Sequence, residues 1–92
     1  MNFSENLYTI ICNLYELYKK NPNIRVTCTI ETKNNFYFGV FEFDVNFVIN
    51  TDCLILKDVL LTEKLVDDQI IKLDKLCISF DSIKAFAYSL KN

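Results

Sequence analysis

The four cysteines of this chain are its best candidates for metal or redox chemistry, and the chain has no histidine. The cysteines occupy positions 12, 28, 53 and 77. None of them forms the closely spaced pair typical of zinc sites, although four isolated thiolates can still make one, and two disulfides are another alternative. No signal peptide precedes them, so we expect a reducing intracellular, cytoplasmic location. We therefore predict buried free thiols, with no metal and no other cofactor.

The residue types in this chain give little support for a catalytic site. Histidine, the usual general base near neutral pH, is missing. A single glycine excludes the glycine patterns of a nucleophile elbow or a phosphate-binding loop. Asp67 and Asp68 are adjacent carboxylates, but neighbours in a polar loop point apart into solvent. We predict that the protein is not an enzyme and has no small-molecule substrate.

Composition and charge restrict the possible partners. The chain has 92 residues, enough for one domain over 1–92, and its 51% hydrophobic content with eight Phe and five Tyr excludes a disordered tail. The formal net charge is −2, and Arg25 is the only arginine, so a broad phosphate-binding surface is not expected. The apolar runs are too short to span a membrane, and we expect no membrane contact.

The N-terminal residues predict an amphipathic helix over about 4–20. Ser4 is a favourable N-cap with Glu5 in the first turn, and the segment 21–23, Asn-Pro-Asn, ends the helix. We expect the apolar face to pack against a sheet, and the alternative is a surface for a partner. That face comprises Leu7, Ile10, Ile11, Leu14, Leu17 and Tyr18, widened by Tyr8, Cys12 and Tyr15.

The period of the apolar residues then changes from that of a helix to that of a strand. Five strands are predicted between about residues 24 and 90, the first of them alternating buried and exposed positions. Asn34 and Asn35 fit a two-residue hairpin turn, because asparagine tolerates the positive φ that this turn requires. Gly39, in the middle of the second strand, predicts a strong bend. The predicted strands cover 24–31, 36–44, 53–62, 70–80 and 83–90.

Two blocks of sequence resemble the Sm-like domain family. One is RVTCTIETKNNFYFGVFEFD, which ends at Asp44, and the other is LDKLCISFDSIKAF, from Leu73 to Phe86. The short patterns Gly-Val-Phe at 39–41, Leu-Ile-Leu-Lys at 54–57 and Asp-Ser-Ile at 81–83 are most similar to the ataxin-type Sm-like domain. The resemblance implies a mostly β fold with one N-terminal helix, in which five antiparallel strands form a strongly bent, SH3-like small barrel.

The resemblance also implies two loops for single-stranded RNA. In the first loop of the family, an Asp and an Asn flank an apolar side chain, and here Asp44, Asn46 and Phe47 match loosely. The second loop of the family carries a basic residue followed by glycine, where this chain has Ser79, Phe80 and Asp81. Phe80 offers a ring on which a base can stack, and core packing is the alternative. We therefore expect a degenerate RNA site at Asp44, Asn46, Phe47, Ser79 and Phe80.

Sm-like subunits join through sheet edges, strand four of one pairing with strand five of the next. The predicted fifth strand has apolar and aromatic residues and little charge, which fits an edge covered by a partner or by the N-terminal helix. The candidate edge residues are Lys84, Phe86, Tyr88 and Leu90.

Together these features predict a non-catalytic Sm-like binding module in an RNA–protein assembly, with contacts mainly to other protein subunits. An accessory factor bound to the ribosome or another large particle, as a stabiliser or inhibitor, is one alternative. It is favoured only by the Asn-, Ile- and Lys-rich composition. A structural subunit of a barrel heterodimer is the other alternative.

Overall fold

The described part of the chain folds as one N-terminal helix followed by five β-strands. A computed structural model describes residues 3–42, 53–65 and 69–91. This order of elements agrees with the one predicted from the sequence. The elements are α1 (Phe3–Lys20), β1 (Arg25–Glu31), β2 (Asn35–Phe41), β3 (Cys53–Glu63), β4 (Ile70–Ser79), the short 3₁₀ helix η1 (Phe80–Ser82) and β5 (Ala85–Lys91).

All five strands belong to one antiparallel sheet. The strand order is β4-β3-β2-β1-β5, so that β5, the last strand of the chain, pairs with β1, the first. Over residues 3–42, 53–65 and 69–91 the sheet is not closed, and β4 and β5 lie at its two edges. Each edge strand therefore pairs with a neighbouring strand of the sheet on one side only.

The helix packs its apolar face onto the sheet, as predicted. Leu7, Ile11 and Leu14 are buried and belong to the same core as the strands. Leu17, one turn further, is largely exposed, so the apolar face makes no buried contact there. The helix begins at Phe3, which places the predicted N-cap residue Ser4 within its first turn.

The turn between β1 and β2 differs from the prediction. Neither Asn34 nor Asn35 has a positive φ; among the described non-glycine residues only Asp58 has one. The backbone N–H of Thr32 donates to the carbonyl oxygen of Asn35 at 3.0 Å, and the N–H of Asn35 donates back to the Thr32 hydroxyl at 3.3 Å. Because the Thr32 side chain closes the turn, the backbone does not need a left-handed residue.

A bulge in β3 lies opposite the glycine of β2. Phe38 pairs with Leu60, but Val40 pairs with Lys57, so β3 contains one extra residue opposite Gly39. A β-carbon at Gly39 would lie 3.2 Å from the carbonyl oxygen of Lys57. A side chain at Gly39 would therefore force the two backbones apart by a few tenths of an ångström, and a bulge also bends and twists its strand.

The core lies between α1 and one face of the sheet. Alternate residues of β1 point into it, as their spacing predicted. The buried residues are Leu7, Ile11, Leu14, Val26, Cys28, Ile30, Phe41, Leu54, Leu56, Val59, Ile78, Phe80 and Ile83. No helix in the described part of the chain has both the length and the hydrophobicity needed to cross a bilayer.

The prediction that the cysteines are buried is correct only for Cys28. All four cysteines are free, but Cys12 and Cys53 are half-buried and Cys77 is exposed. The alternation of β4 explains Cys77, because its neighbour Ile78 takes the core position.

Candidate functional site

The edge strand β5 carries three of the four predicted edge residues, and the fourth, Lys84, directly precedes the strand. In register, Phe86, Tyr88 and Leu90 lie opposite Ile30, Cys28 and Val26 of β1. These three β1 residues are fully buried, whereas Tyr88 and Leu90 are 47% and 42% exposed. The rings of Phe86 and Tyr88 contact each other, with their centroids 6.1 Å apart. The core thus continues to the β5 edge and ends there in contact with solvent.

The other face of the sheet, which we call the outer face, has an apolar groove beside the same edge. The register aligns Ala85, Glu31 and Phe36 across β5, β1 and β2, and aligns Ala87, Thr29 and Phe38 in the next row. Small side chains on β5 and β1 leave room beside the Phe36 ring. The groove has a volume of about 220 Å³ and is lined by Thr29, Glu31, Phe36, Ala85, Phe86 and Ala87.

An ion pair lies at one side of this groove. The Lys64 ammonium donates a hydrogen bond to the Glu31 carboxylate, and its Nζ lies 5.1 Å from the centroid of the Phe36 ring. The hydrogen bond from Lys64, followed by the charges of Lys64 and Lys84, holds the pKa of Glu31 below its usual range. Glu31 is therefore ionised at neutral pH and already has a cationic partner.

The outer face also exposes two phenylalanines that were not predicted as functional residues. Phe36 and Phe38 are 44% and 48% exposed at successive outward positions of β2. The sequence carried a signal for them, since this strand is apolar at inward and outward positions alike. Single exposed apolar residues are common, but a contiguous group of them is typical of an interaction surface. Leu60, which is also exposed, pairs with Phe38 and extends the apolar group onto β3.

The residues predicted for RNA contact are only partly described. Asp44, Asn46 and Phe47 lie outside the described residues. Ser79 is exposed at the end of β4, and its carbonyl oxygen accepts a hydrogen bond from the Ser82 hydroxyl at 2.7 Å. Phe80 is only 3% exposed and packs in the core. Its burial favours core packing over stacking on a base.

The cysteines are arranged poorly for chemistry. Burial raises the pKa of the Cys28 thiol to about 12. A hydrogen bond with Cys53, together with partial burial, raises the pKa of Cys77 to about 11. Both thiols are therefore protonated at neutral pH, where a thiolate is the reactive form. Within the described ranges, no three His, Cys, Asp or Glu side chains are grouped as a metal site would need.

A second cavity lies away from the β5 edge. It has a volume of about 290 Å³ and opens beside the end of α1 and the bulge of β3. Arg25 and Lys57 line it together with Asp58, so charges of both signs face the same space. Its remaining lining residues are Tyr18, Pro22, Ile24, Val40 and Phe41.

No protein-family model matches this chain, and a comparison with curated proteins finds no match.

Proposed function

We propose that this protein is a non-catalytic, Sm-like binding module of an RNA–protein assembly, and that it works mainly by contacting other proteins through its sheet edges. The observation that carries the proposal is the strand order β4-β3-β2-β1-β5, which leaves β4 and β5 without a second neighbouring strand among the described residues. Unpaired edges offer backbone N–H and C=O groups to a strand of another chain. In Sm-like proteins the fourth and fifth strands are the ones that join subunits.

The order of the helix and strands supports the Sm-like part of the proposal. An N-terminal helix packs on five antiparallel strands, and the second strand carries its only glycine opposite a bulge. A bulge at this position bends the sheet, as a strongly bent small barrel requires.

The character of the β5 edge supports protein contact. Tyr88 and Leu90 extend the core to the edge while remaining about half exposed, so a partner strand with apolar residues would cover them. Burying such side chains is worth roughly 25 cal/mol per Å² of apolar surface removed from water.

A weak RNA site is the second part of the proposal. Phe80 packs in the core, and Asp81 occupies the loop position where a family member carries a cation or glycine. The chain as a whole is acidic, which disfavours strong phosphate binding. Direct RNA contact is therefore minor in this proposal.

The test combines two measurements on the purified full chain at physiological salt. Light scattering gives the native mass, with absorbance recorded at two wavelengths to detect bound nucleic acid. Titration with oligouridine and oligoadenine gives the RNA affinity. We expect no co-purifying nucleic acid and no tight binding of either oligonucleotide. Tight, salt-sensitive and base-selective binding contradicts the proposal and indicates an ordinary RNA-binding Sm role.

A further inference from the structure

We propose that the β5 edge recognises an extended segment of another protein, in which an apolar side chain fills the outer-face groove and acidic residues flank it. The inference rests on the proposed function, because it takes β5 as a docking edge, and it adds the chemistry of the partner. A strand added to β5 alternates its side chains between the two faces of the sheet. Backbone hydrogen bonds then supply affinity, and pockets for alternate side chains supply specificity.

The groove is placed to receive one of these side chains. Ala85 and Ala87 are the outward residues of β5 that line the groove, and their small side chains leave it open toward the free edge. A side chain from an added strand can lie over them at the open side of the groove, whose far wall is the exposed ring of Phe36 on β2. The volume of about 220 Å³ suits an aliphatic side chain such as leucine rather than an extended ligand.

The positive charge near β5 favours acidic residues on either side of this apolar side chain in the partner. The segment 84–91, KAFAYSLK, carries a lysine at each end and no acidic residue. Arg25 pairs in register with Lys91, which places two cations at one end of β5, and Lys84 lies at the other end. The one acidic residue that lines the groove, Glu31, is already hydrogen-bonded to Lys64. An added strand with acidic residues thus meets cations near both ends of β5, on a protein whose net charge is −2.

The same charges disfavour a second copy of this chain as the occupant. Its free edge strand would be β4, which carries Lys72, Asp74 and Lys75. Lys75 is paired with Glu42 at 3.3 Å, so β4 has no surplus of negative charge to offer the lysines of β5. The partner is therefore a different protein.

The test uses the full chain and an end-blocked peptide, Asp-Glu-Thr-Val-Leu-Val-Thr-Glu-Asp, in fluorescence polarisation at physiological salt. One control peptide replaces leucine by serine, and another replaces every acidic residue by its amide. Ala87→Phe fills the groove, and Ser89→Phe adds the same side chain on the same face of β5, outside the groove. Circular dichroism verifies that both variants fold.

We expect the parent peptide to bind, and Ala87→Phe, the serine peptide and the amide peptide each to lose at least about tenfold in affinity. Ser89→Phe should retain binding. Equal binding of all three peptides, equal effects of the two Phe substitutions, or no binding of the parent peptide would overturn the inference. Displacement of the peptide by oligouridine at comparable concentration would also overturn it, because the surface would then be a general polyanion site. Any of these results can occur while the native mass and RNA titration still support the proposed function, so the two failures are distinguishable.

Discussion

Asp58 has a positive φ, which is uncommon for a residue other than glycine. It lies in the β3 bulge with φ at 52°, in the left-handed region that favours glycine and asparagine. A β-branched residue there would add a steric cost of about 1–2 kcal/mol. We expect Asp58→Val to lower the free energy of unfolding by about this amount, and Asp58→Gly or Asp58→Asn to leave it nearly unchanged. Urea unfolding measures all three variants, and equal losses for valine and glycine would contradict the role of the backbone.

Glu31 should give the stability of the protein a specific pH dependence. Its folded pKa lies below the value of about 4.3 for an unfolded glutamate, mainly because Lys64 donates a hydrogen bond to it. The interaction therefore stabilises the fold fully above that pH, and this contribution is lost as pH falls through the folded pKa. We expect the difference in unfolding free energy between the protein and Glu31→Gln to be largest near neutral pH and to shrink in acid.

Urea unfolding of both proteins from neutral pH to about pH 3 measures this difference. Lys64→Met is the matched variant, because it removes the other partner of the same hydrogen bond. The double variant should lose little more than either single variant. A difference that stays constant with pH would show that Glu31 acts by packing alone.

At the scale of the element, α1 offers a matched pair of leucines. Leu14 is 2% exposed in the core, and Leu17 is 43% exposed one turn later. Leu14→Ala creates a cavity and should lower the free energy of unfolding by about 2–5 kcal/mol. Leu17→Ala should cost less than about 1 kcal/mol. Thermal and urea unfolding compare the two variants, and similar losses would indicate that the helix is packed in another orientation.

The elements themselves were largely predictable, because periodicity reports burial directly. The alternation of β1 and the helical spacing of Leu7, Ile11 and Leu14 both identified core residues correctly. The exposure of Leu17 was not predictable from spacing, since a helical face can extend beyond the surface that covers it.

The register in which the strands pair could not be predicted from the sequence. The bulge at Asp58 shifts the pairing of β3 with β2 by one residue, and no local sequence pattern predicts this shift. The groove depends on Ala85 and Phe36 lying in one row, on strands that are far apart in the chain. The edge residues of β5 were named from the resemblance to Sm-like domains and the low charge of the predicted strand, but the groove beside them depends on the pairing of β5 with β1.

At the scale of the whole molecule, the distribution of charge determines whether copies of the chain can join. β5 is basic, and β4 lacks the acidic surplus that would attract it, so we expect the isolated protein to be a monomer. Lys72→Glu with Lys75→Glu makes β4 acidic and complementary to β5 of another copy. Lys19→Glu with Lys20→Glu is the control on α1. Each double variant changes the net charge by −4, from −2 to −6.

Light scattering over a range of protein concentrations should show association only for the β4 variant. Salt should weaken this association, because the Debye length falls from about 10 Å at 0.1 M to about 3 Å at 1 M. Circular dichroism must confirm that the loss of the pair between Lys75 and Glu42 leaves the fold intact. If both double variants remain monomeric, charge is not what keeps the two edges apart. If the unmodified chain already forms a ring, the edges pair without charge complementarity, and backbone hydrogen bonding with apolar contact is sufficient.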